Sequence, residues 1–415
     1  MSMLLFTGPP AFAMPGTILL IGTLDTKGAE FAYVRDLIHE RGHRTLVMDG
    51  GVLHDPPFMP DVGAAAVAEA GGVALETLRR EGDRGQAVEV MTRGVCVLAE
   101  RLHAQGRLDG VLGLGGSGGT VLATAAMRTL PVGLPKVMVS TIASGDVAPY
   151  VGVKDVAMMY AVVDIAGLNR ISRRILANAV GAVCGMVEQA MPEAEDRPLI
   201  AATMFGVTTP CVTRVRERLE AEGYEVLVFH ATGSGGRAME ALIDGGFITG
   251  VADVTTTEWC DELVGGVLSA GPHRLEAAVR AGLPQVVSCG ALDMVNFWAV
   301  DTVPASFKDR TLYRHTANVT LMRTTPDECA TLGRIIAEKL NAATGPTTLL
   351  LPLQGVSAID GEGQPFHDPA ADAALFQALR DHLDGAVTLV ELDLHINDPA
   401  FADAIADRLL DSLPA

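Results

Sequence analysis

The 415-residue chain lacks most of what nucleic-acid-binding, membrane or disulfide-rich proteins need. It has 31 Lys and Arg against 50 Asp and Glu, and this net charge of −19 argues against nonspecific binding to nucleic acid or to anionic membranes. No apolar run approaches a membrane span. Its six cysteines contain no C-x-x-C pair, which disfavours a metal knuckle or a redox motif, and we expect reduced thiols in a cytoplasmic protein.

Aromatic residues are also scarce, at 5%, whereas 45 residues are Gly and 49% are hydrophobic. This composition suits an α/β protein built from small, tightly packed strand–helix units. Residues 1–14 contain no basic residue and no long apolar segment, so they make a poor signal peptide. We expect residues 1–16 to be a disordered extension, with the fold beginning at Thr17.

The two halves of the sequence follow the same pattern of strands and helices, which indicates an internal duplication. Residues 18–22 predict a buried strand, and a helix ended by Gly42 leads to a second strand that stops at Asp49. In the second half, the strand at 199–206 is followed by a helix ended by Gly223 and a strand that stops at His230. Asp49 and His230 each lie seven residues beyond the helix-ending glycine.

The correspondence continues along the chain. Residues 108–117 align without gaps with 248–257, and residues 133–140 align with 282–289. Strands that alternate with helices predict parallel βαβ units, and short apolar strands predict sheets covered on both faces. We therefore predict an α/β fold of two doubly wound, Rossmann-like parallel-sheet domains related by internal duplication.

The domain boundaries follow from composition. A nucleotide-binding domain is expected at 17–191 and a second domain at 199–415, with extra strands near 347–353 and 387–394. The linker at 192–198 is charged and bounded by prolines.

A glycine-rich loop carries the most specific chemistry. Residues 113–120 read Gly-Leu-Gly-Gly-Ser-Gly-Gly-Thr and directly follow an apolar strand. Uncovered amides at the start of a helix favour an anion such as phosphate. The loop matches neither the Rossmann fingerprint nor the P-loop, because no Lys-Ser or Lys-Thr closes it.

Ligands of open parallel sheets bind beyond the carboxyl ends of the strands, so the polar strand ends of the first half predict a nucleoside polyphosphate site. Asp25 and Asp146 are the candidate Mg²⁺ ligands, and Asp49 is the candidate partner of a ribose hydroxyl. The candidate cofactor-binding residues are Gly22, Thr23, Asp25, Thr26, Lys27, Asp49, Gly50, Gly115, Gly116, Ser117, Gly118, Gly119, Thr120, Thr141 and Gly145. Each glycine, taken alone, is also compatible with a tight turn.

The strand ends of the second half concentrate acid–base and nucleophilic side chains. The candidate catalytic residues are His230, Glu258, Cys289, Asp293 and His395. His230 or His395 would serve as general base and Cys289 as nucleophile or acid. The glycine-rich stretch 230–236 is also suited to a carboxylate or a phosphate. A buried structural thiol at Cys289 remains the alternative.

Several of these runs together resemble a known family. They are the stretches at 22–27, 113–120, 140–146, 164–169, 230–236 and 395–401. The chain from Thr17 onward is similar to the family that contains the ATP-binding N-terminal domain of the tomato mosaic virus resistance protein and bacterial relatives. The resemblance implies a two-domain, commonly dimeric α/β protein with ATP and Mg²⁺ in its first half. The matching positions are Thr23, Asp25, Lys27 and the loop 115–120.

The leading hypothesis is an enzyme that uses ATP and Mg²⁺ to act on a small polar or carboxylated metabolite, by phosphoryl transfer or ATP-driven activation. One alternative is a nucleotide-gated protein-binding module without turnover. Another is an ATP-independent hydrolase or lyase that uses only the second-half cluster. A homodimer is expected, and neither nucleic acid nor a membrane is expected as a partner.

Overall fold

The computed structural model describes residues 15–190 and 196–413, and the chain divides into two compact units, 1–194 and 195–415. Of the expected disordered extension, residues 1–14 lie outside the described part, as do residues 191–195 around the expected linker. The first strand begins at Thr17. Within the described ranges, no helix is both long and apolar enough to cross a membrane.

Unit 1 is a five-stranded, all-parallel sheet in the order β2-β1-β3-β4-β5. Its strands are β1 (Thr17–Gly22), β2 (Arg44–Asp49), β3 (Gly110–Gly115), β4 (Lys136–Ser140) and β5 (Ala157–Tyr160). Its helices are α1 (Leu24–Glu40), α2 (Ala64–Ala70), α3 (Leu75–Glu81), α4 (Arg84–Ala104), α5 (Ser117–Thr129), α6 (Ala148–Val151) and α7 (Arg170–Glu188).

Both faces of this sheet are covered, as its apolar strands predict. Successive side chains of a strand point to opposite faces. Leu19 and Ile21 accordingly pack in one core with residues of α4 and α5. Ile18 and Leu20 pack in a second core with residues of α1 and α7. All six residues of β1 are buried, so the loop that follows this central strand starts from a fixed position.

Unit 2 contains a six-stranded, all-parallel sheet in the order β14-β13-β9-β8-β6-β7 and a separate antiparallel sheet in the order β10-β12-β11. Its strands are β6 (Leu199–Met204), β7 (Glu225–His230), β8 (Ile248–Thr255), β9 (Gln285–Gly290), β10 (Met294–Phe297), β11 (Leu312–Thr316), β12 (Val319–Arg323), β13 (Thr347–Pro352) and β14 (Thr388–Leu392). Its helices are α8 (Thr209–Ala221), α9 (Ser234–Asp244), α10 (Glu258–Val264), α11 (Ala277–Ala281), α12 (Pro326–Leu340), α13 (Pro369–His382) and α14 (Pro399–Ser412).

The sheet registers reproduce the internal duplication residue by residue. In unit 1, Ile18 of β1 pairs with Thr45 of β2 and with Gly110 of β3. In unit 2, Ile200 of β6 pairs with Val226 of β7 and Gly250 of β8.

The match extends one strand further. Val111 pairs with Lys136 in unit 1, and Val251 pairs with Gln285 in unit 2, which are the positions aligned from sequence. The two units therefore share the strand order 2-1-3-4-5, and unit 2 adds a sixth strand.

Two features were not expected from the sequence. The short strand β5 was not foreseen, because its residues are only partly covered and its pattern runs into the segment before α7. The β10-β12-β11 sheet was not foreseen either, since it is inserted between β9 and β13 and has no counterpart in the first half. His315 consequently lies in an exposed hairpin strand.

Candidate functional site at the strand ends

The strand order places a natural crevice at the end of β1 and β3. The chain runs from β1 to β2 on one side and then to β3 on the other, so the loops after β1 and β3 diverge at this point. In open α/β sheets, ligands bind at such topological switch points. In unit 1 these two loops carry Thr23 to Lys27 and the glycine-rich loop, so the fold brings both predicted segments to one crevice.

The glycine-rich loop leads into α5 with its first turn uncovered. Gly116 precedes the helix and has no side chain to cap it. The first amides of an α-helix have no partner within the helix and carry the positive end of its dipole. A Cβ at Gly115 would lie 2.9 Å from the Cα of Gly119, so this close turn requires glycine, whereas a Cβ at Gly118 would meet no atom within 4 Å. The approach to the helix start is therefore open.

Thr120 and Ser117 have different positions in this turn. The Thr120 hydroxyl is buried, donates to the Gly116 carbonyl at 2.8 Å and lies 2.7 Å from the Ser140 hydroxyl. Thr120 therefore holds the loop in place through its contacts with Gly116 and Ser140. Ser117 is exposed at the first helical position and is free to face a ligand.

Asp49 ties together the loops after β1 and β2. Its Oδ1 accepts hydrogen bonds from the amides of Leu24, at 3.0 Å, and Gly51, at 2.8 Å. The side chain is fully buried, and burial raises its pKa above the usual range. Because it is enclosed, Asp49 positions the two loops in this structure, and the ribose contact expected for it would need the loops to open.

Asp25 is the second carboxylate of the crevice. Its Oδ2 accepts from the Leu53 amide at 2.8 Å. Its Oδ1 is enclosed and, like Oδ2 of Asp49, has no hydrogen-bond partner among the described residues. A Cβ at Gly51 would lie 2.6 Å from the Asp25 carboxyl carbon, so glycine there makes room for the carboxylate. The Asp25 carboxylate therefore keeps one acceptor oxygen that no hydrogen bond from the described residues satisfies.

The other polar side chains of the loop after β1 contact residues of unit 1 itself. The hydroxyls of Thr23 and Thr26 lie 2.9 Å apart. The ammonium of Lys27 donates to the Ile165 carbonyl, in the segment after β5, and Lys27 breaks the helical geometry of α1. In this structure the Lys27 charge therefore anchors that segment.

The other first-half candidates divide by exposure. Gly22 and Gly50 are packing glycines, since a Cβ there would approach Phe31 at 2.2 Å or Leu122 at 2.6 Å. Thr141 is half-buried and Gly145 is exposed. Asp146 is exposed and accepts from the Ala148 amide at 3.0 Å, so it caps α6.

No group of three or more His, Cys, Asp and Glu side chains in residues 15–190 and 196–413 is arranged to hold a metal ion. Mg²⁺ is commonly held by one or two carboxylates together with ligand phosphates and waters, and Asp25 suits that arrangement.

In unit 2 the glycine-rich loop is already occupied by a carboxylate of the chain itself. Oε1 of Glu258 accepts from the amides of Gly233, at 2.7 Å, and Gly236, at 3.0 Å. Oε2 accepts from Nε of Arg274 at 2.7 Å. Glu258 is 1% exposed, so the site that the sequence suggested for a ligand anion is filled from inside.

Arg274 is the centre of this arrangement. It is 1% exposed and pairs bidentately with Asp253, at 2.5 and 2.7 Å, in addition to Glu258. Glu240 lies 3.5 Å from its Nη1 and accepts from the amides of Leu275 and Ala277. One guanidinium thus binds three carboxylates, and the role that the structure gives Glu258 is to fix the loop.

Asp293 and His395 meet at Ser357. The Ser357 hydroxyl donates to Oδ2 of Asp293 at 2.7 Å, and Nε2 of His395 lies 2.9 Å from the Ser357 carbonyl. Nδ1 of His395 accepts from the Asn397 amide at 3.1 Å. Both ring nitrogens are engaged in holding loops, and Asp293 is fully buried.

Cys289 and His230 lie apart from that pair. The Cys289 thiol is fully buried in the core, and burial raises its pKa well above the usual range. A thiol of this kind is a poor nucleophile. His230 is exposed and stacks on Phe205 with ring centroids 5.3 Å apart. All six cysteines are free.

Comparison with known proteins agrees with the two-unit architecture. Residues 16–192 match the N-terminal domain of "Uncharacterised protein family (UPF0261)", and residues 197–413 match the C-terminal domain of the same family.

The chain belongs to this family. A UPF0261 protein of Clostridium tetani is 54% identical over 398 residues, covering 95% of this chain and 98% of that protein. One from Rhizobium meliloti is 51% identical over 389 residues, covering 93% and 96%.

The plant relative is longer. The ToMV resistance protein Tm-1(GCR237) of Solanum lycopersicum is 45% identical over 339 residues, covering 80% of this chain and 45% of the tomato protein. The resemblance noted from the motifs is therefore confirmed, and the match covers less than half of the tomato protein.

Buried carboxyls in unit 2 predict how stability depends on pH. Burial raises the pKa of Asp293 to about 6, of Asp261 to about 7 and of Asp360 to about 9. Such groups hold protons in the folded state that the unfolded chain has released above pH 4. Their stabilising effect is complete below pH 4 and is lost as the pH rises through these values.

We expect the free energy of unfolding, measured by urea titration, to fall by several kcal/mol between pH 5 and 8.5. Asp261 alone, whose pKa is about 7, contributes roughly 2–3 kcal/mol of this fall between pH 5 and 7. Carboxylates with lowered pKa, such as Glu188 and Asp403, act below this window. The variant Asp261→Asn, which has no proton to lose, should show a smaller fall between pH 5 and 7. Stability that stays flat or increases over the range would contradict this assignment.

Arg274 and Arg323 are the buried ion-pair centres of unit 2, and neither is among the catalytic candidates predicted from the sequence. A signal for Arg274 exists, because Asp253 and Glu258 flank the end of an apolar strand and buried carboxylates need a cation. That signal does not say which arginine supplies the cation. Arg323 at the end of β12 gives no comparable signal, since its carboxyl partners Asp360 and Asp372 follow 37 and 49 residues later.

Proposed function

We propose that unit 1 binds a nucleoside triphosphate, ATP, with Mg²⁺ at the switch point between β1 and β3. Two observations carry the proposal: the start of α5, after β3, is uncapped, and Asp25, after the neighbouring strand β1, has an oxygen without a hydrogen-bond partner among the described residues. The amides of Ser117, Gly118 and Gly119 would hold phosphate oxygens, and Asp25 would hold the metal ion.

The duplication supports the position of the phosphate. The shared register makes Gly118 of unit 1 equivalent to Glu258 of unit 2, one residue beyond the gapless alignment. In unit 2, Glu258 lies at the start of α10, which follows β8, and its carboxylate reaches the glycine-rich loop that follows β7. In unit 1 the same position is glycine and the space around it is open. An external phosphate would therefore occupy in unit 1 the position that an internal carboxylate fills in unit 2.

We further propose that the nucleotide is used on a small polar metabolite, by phosphoryl transfer or ATP-driven activation. Nucleotide positioning and metal-assisted charge stabilisation would supply most of the rate in such a reaction. A nucleotide-gated binding module is the second candidate, because Glu258 and His395, two of the side chains that would have provided acid–base chemistry in unit 2, are engaged in fixing loops. ATP consumption by the purified protein with pooled cell metabolites separates the two.

Isothermal titration calorimetry with ATP and Mg²⁺ tests the proposal directly. Saturable binding of one nucleotide per chain is expected. A chain that releases no binding heat at any attainable concentration would overturn it.

The metal role of Asp25 predicts a specific loss. Asp25→Asn should weaken binding of ATP in the presence of Mg²⁺ about 10-fold, while binding of ATP in EDTA changes little, because only the metal contact is removed. The matched control is Asp36→Asn, an exposed carboxylate on the same helix that pairs with Arg35. Equal weakening with and without Mg²⁺ would show that Asp25 does not act through a metal.

A further inference from the structure

Unit 2 contains a cavity that none of the roles described above accounts for. It has a volume of about 500 Å³ and opens at the carboxyl end of β13. Its walls come from the residues directly after β13, from the loop at 360–367 and from α13 between Pro369 and Arg380. Among the lining residues are Leu353, Asp360, His367, Asp372, Ala373 and Phe376.

The polar wall of the cavity carries an excess of negative charge. Nη2 of Arg323 binds Oδ1 of Asp360 at 3.1 Å and Oδ1 of Asp372 at 2.6 Å. Asp293 is a third carboxyl that interacts electrostatically with this guanidinium, and its Oδ1 has no hydrogen-bond partner within the described ranges. Three carboxyl groups therefore share one buried cation. Because burial raises the pKa of Asp360 to about 9, that carboxyl is protonated at neutral pH, and the excess negative charge is left to Asp293 and Asp372.

Other positive groups near the cavity are already engaged. Nε of Arg380 donates to Oε1 of Glu391 at 2.7 Å. The start of α13 is capped by Asp368, which accepts from the amides of Ala370 and Ala371 at 3.1 Å. An anionic ligand would thus meet the carboxyl groups of Glu362 and Asp372 and an Arg380 guanidinium that already pairs with Glu391, whereas a cationic ligand would offset the excess charge.

Apolar side chains make up the rest of the lining that matters here. Leu353, Ala373 and Phe376 belong to it, and Phe376 is 4% exposed. Pockets of a few hundred Å³ with apolar walls and a few placed charges are typical of small-molecule sites. A ligand that carries an ammonium group on a short carbon chain would suit both the charged and the apolar lining.

We infer that this cavity binds a small organic ammonium ion, with the ammonium at Asp372 and the carbon chain against Leu353 and Phe376. Asp372 is the suitable contact because Arg323 engages its Oδ1 and its side chain remains 13% exposed, whereas the Asp360 side chain is enclosed. The inference rests on the proposed function only where the bound amine is taken as the metabolite. Amine binding itself needs no nucleotide.

The test uses 1,4-diaminobutane as the probe and 1,4-butanediol, of the same length but uncharged, as its control. Calorimetry on the full chain without nucleotide should show one saturable diamine site and no binding of the diol. Asp372→Asn should weaken diamine binding at least about 10-fold, because the charged contact is lost. Asp381→Asn, on an exposed part of the same helix, should bind as the unaltered chain does.

A second variant guards against a folding defect in the first. Ala373 is exposed on α13 and lines the cavity, so Ala373→Phe should fill the cavity without altering its charges and should abolish binding. Diamine binding that survives both variants, equal binding of diol and diamine, or no binding to the unaltered chain would overturn the inference. Each outcome is independent of whether unit 1 binds ATP.

Discussion

Replacing Arg274 with methionine should lower the free energy of unfolding by about 3–5 kcal/mol, the largest effect expected of any single substitution in unit 2. Methionine retains much of the side-chain volume but leaves Asp253 and Glu258 buried without a cation. It also frees the loop at 233–236, since Glu258 would no longer be held against its amides. Urea unfolding followed by circular dichroism measures the change.

The matched control for this experiment is Arg280→Met. Arg280 lies in α11, six residues away, and pairs with Asp244 at 2.9 Å, but both side chains are about half exposed. Exposed ion pairs contribute about 0–1 kcal/mol, so this variant should stay close to the unaltered chain. An Arg274→Met variant that is as stable as the control would show that the three carboxylates do not depend on the guanidinium.

Replacing Gly118 with glutamate should weaken ATP binding about 100-fold, or by roughly 2.7 kcal/mol, while leaving unit 1 folded. The substitution recreates in unit 1 the residue that unit 2 has at the equivalent position. A carboxylate at the start of α5 would compete for the open amides and repel the phosphates. Because a Cβ at Gly118 meets no atom within 4 Å, the new side chain has room.

Gly118→Gln separates charge from size in this experiment. Glutamine occupies the same volume without the negative charge, so it should lose less than about 10-fold in affinity. Thermal unfolding of both variants, followed by circular dichroism, checks that the fold is retained. Unchanged ATP affinity in Gly118→Glu would mean that the phosphates do not lie at this helix start.

Much of the architecture could be predicted from sequence because the duplication constrains it. A gapless alignment of two halves fixes which strands are equivalent, and the registers of Ile18 and Ile200 agree with that alignment. The sequence also predicts a glycine-rich turn after β3, and the structure shows that Gly115 is needed there, because a Cβ would lie 2.9 Å from the Cα of Gly119. The sequence pattern failed at the β10-β12-β11 sheet of unit 2, which has no counterpart in unit 1, and at the short, partly covered strand β5 of unit 1.

The chemistry of individual side chains was harder to predict. Glu258 and His395 stand at strand ends, where catalytic residues are common, yet one binds Arg274 and the other binds backbone groups of nearby loops. A sequence shows which groups are brought to an edge of a sheet but not whether neighbours already satisfy them. Asp49 illustrates the same limit, because its burial depends on the loop at 50–53 folding over it.

Amide hydrogen exchange with and without ATP and Mg²⁺ tests the central claim most directly, because it locates the bound nucleotide on the chain. The first amides of a helix have no partner within the helix, so those at the start of α5 should exchange fast unless a ligand covers them. The account predicts slowed exchange in peptides covering 115–120 and 23–27. Slowed exchange confined to unit 2, or no change anywhere at saturating ATP, would contradict it.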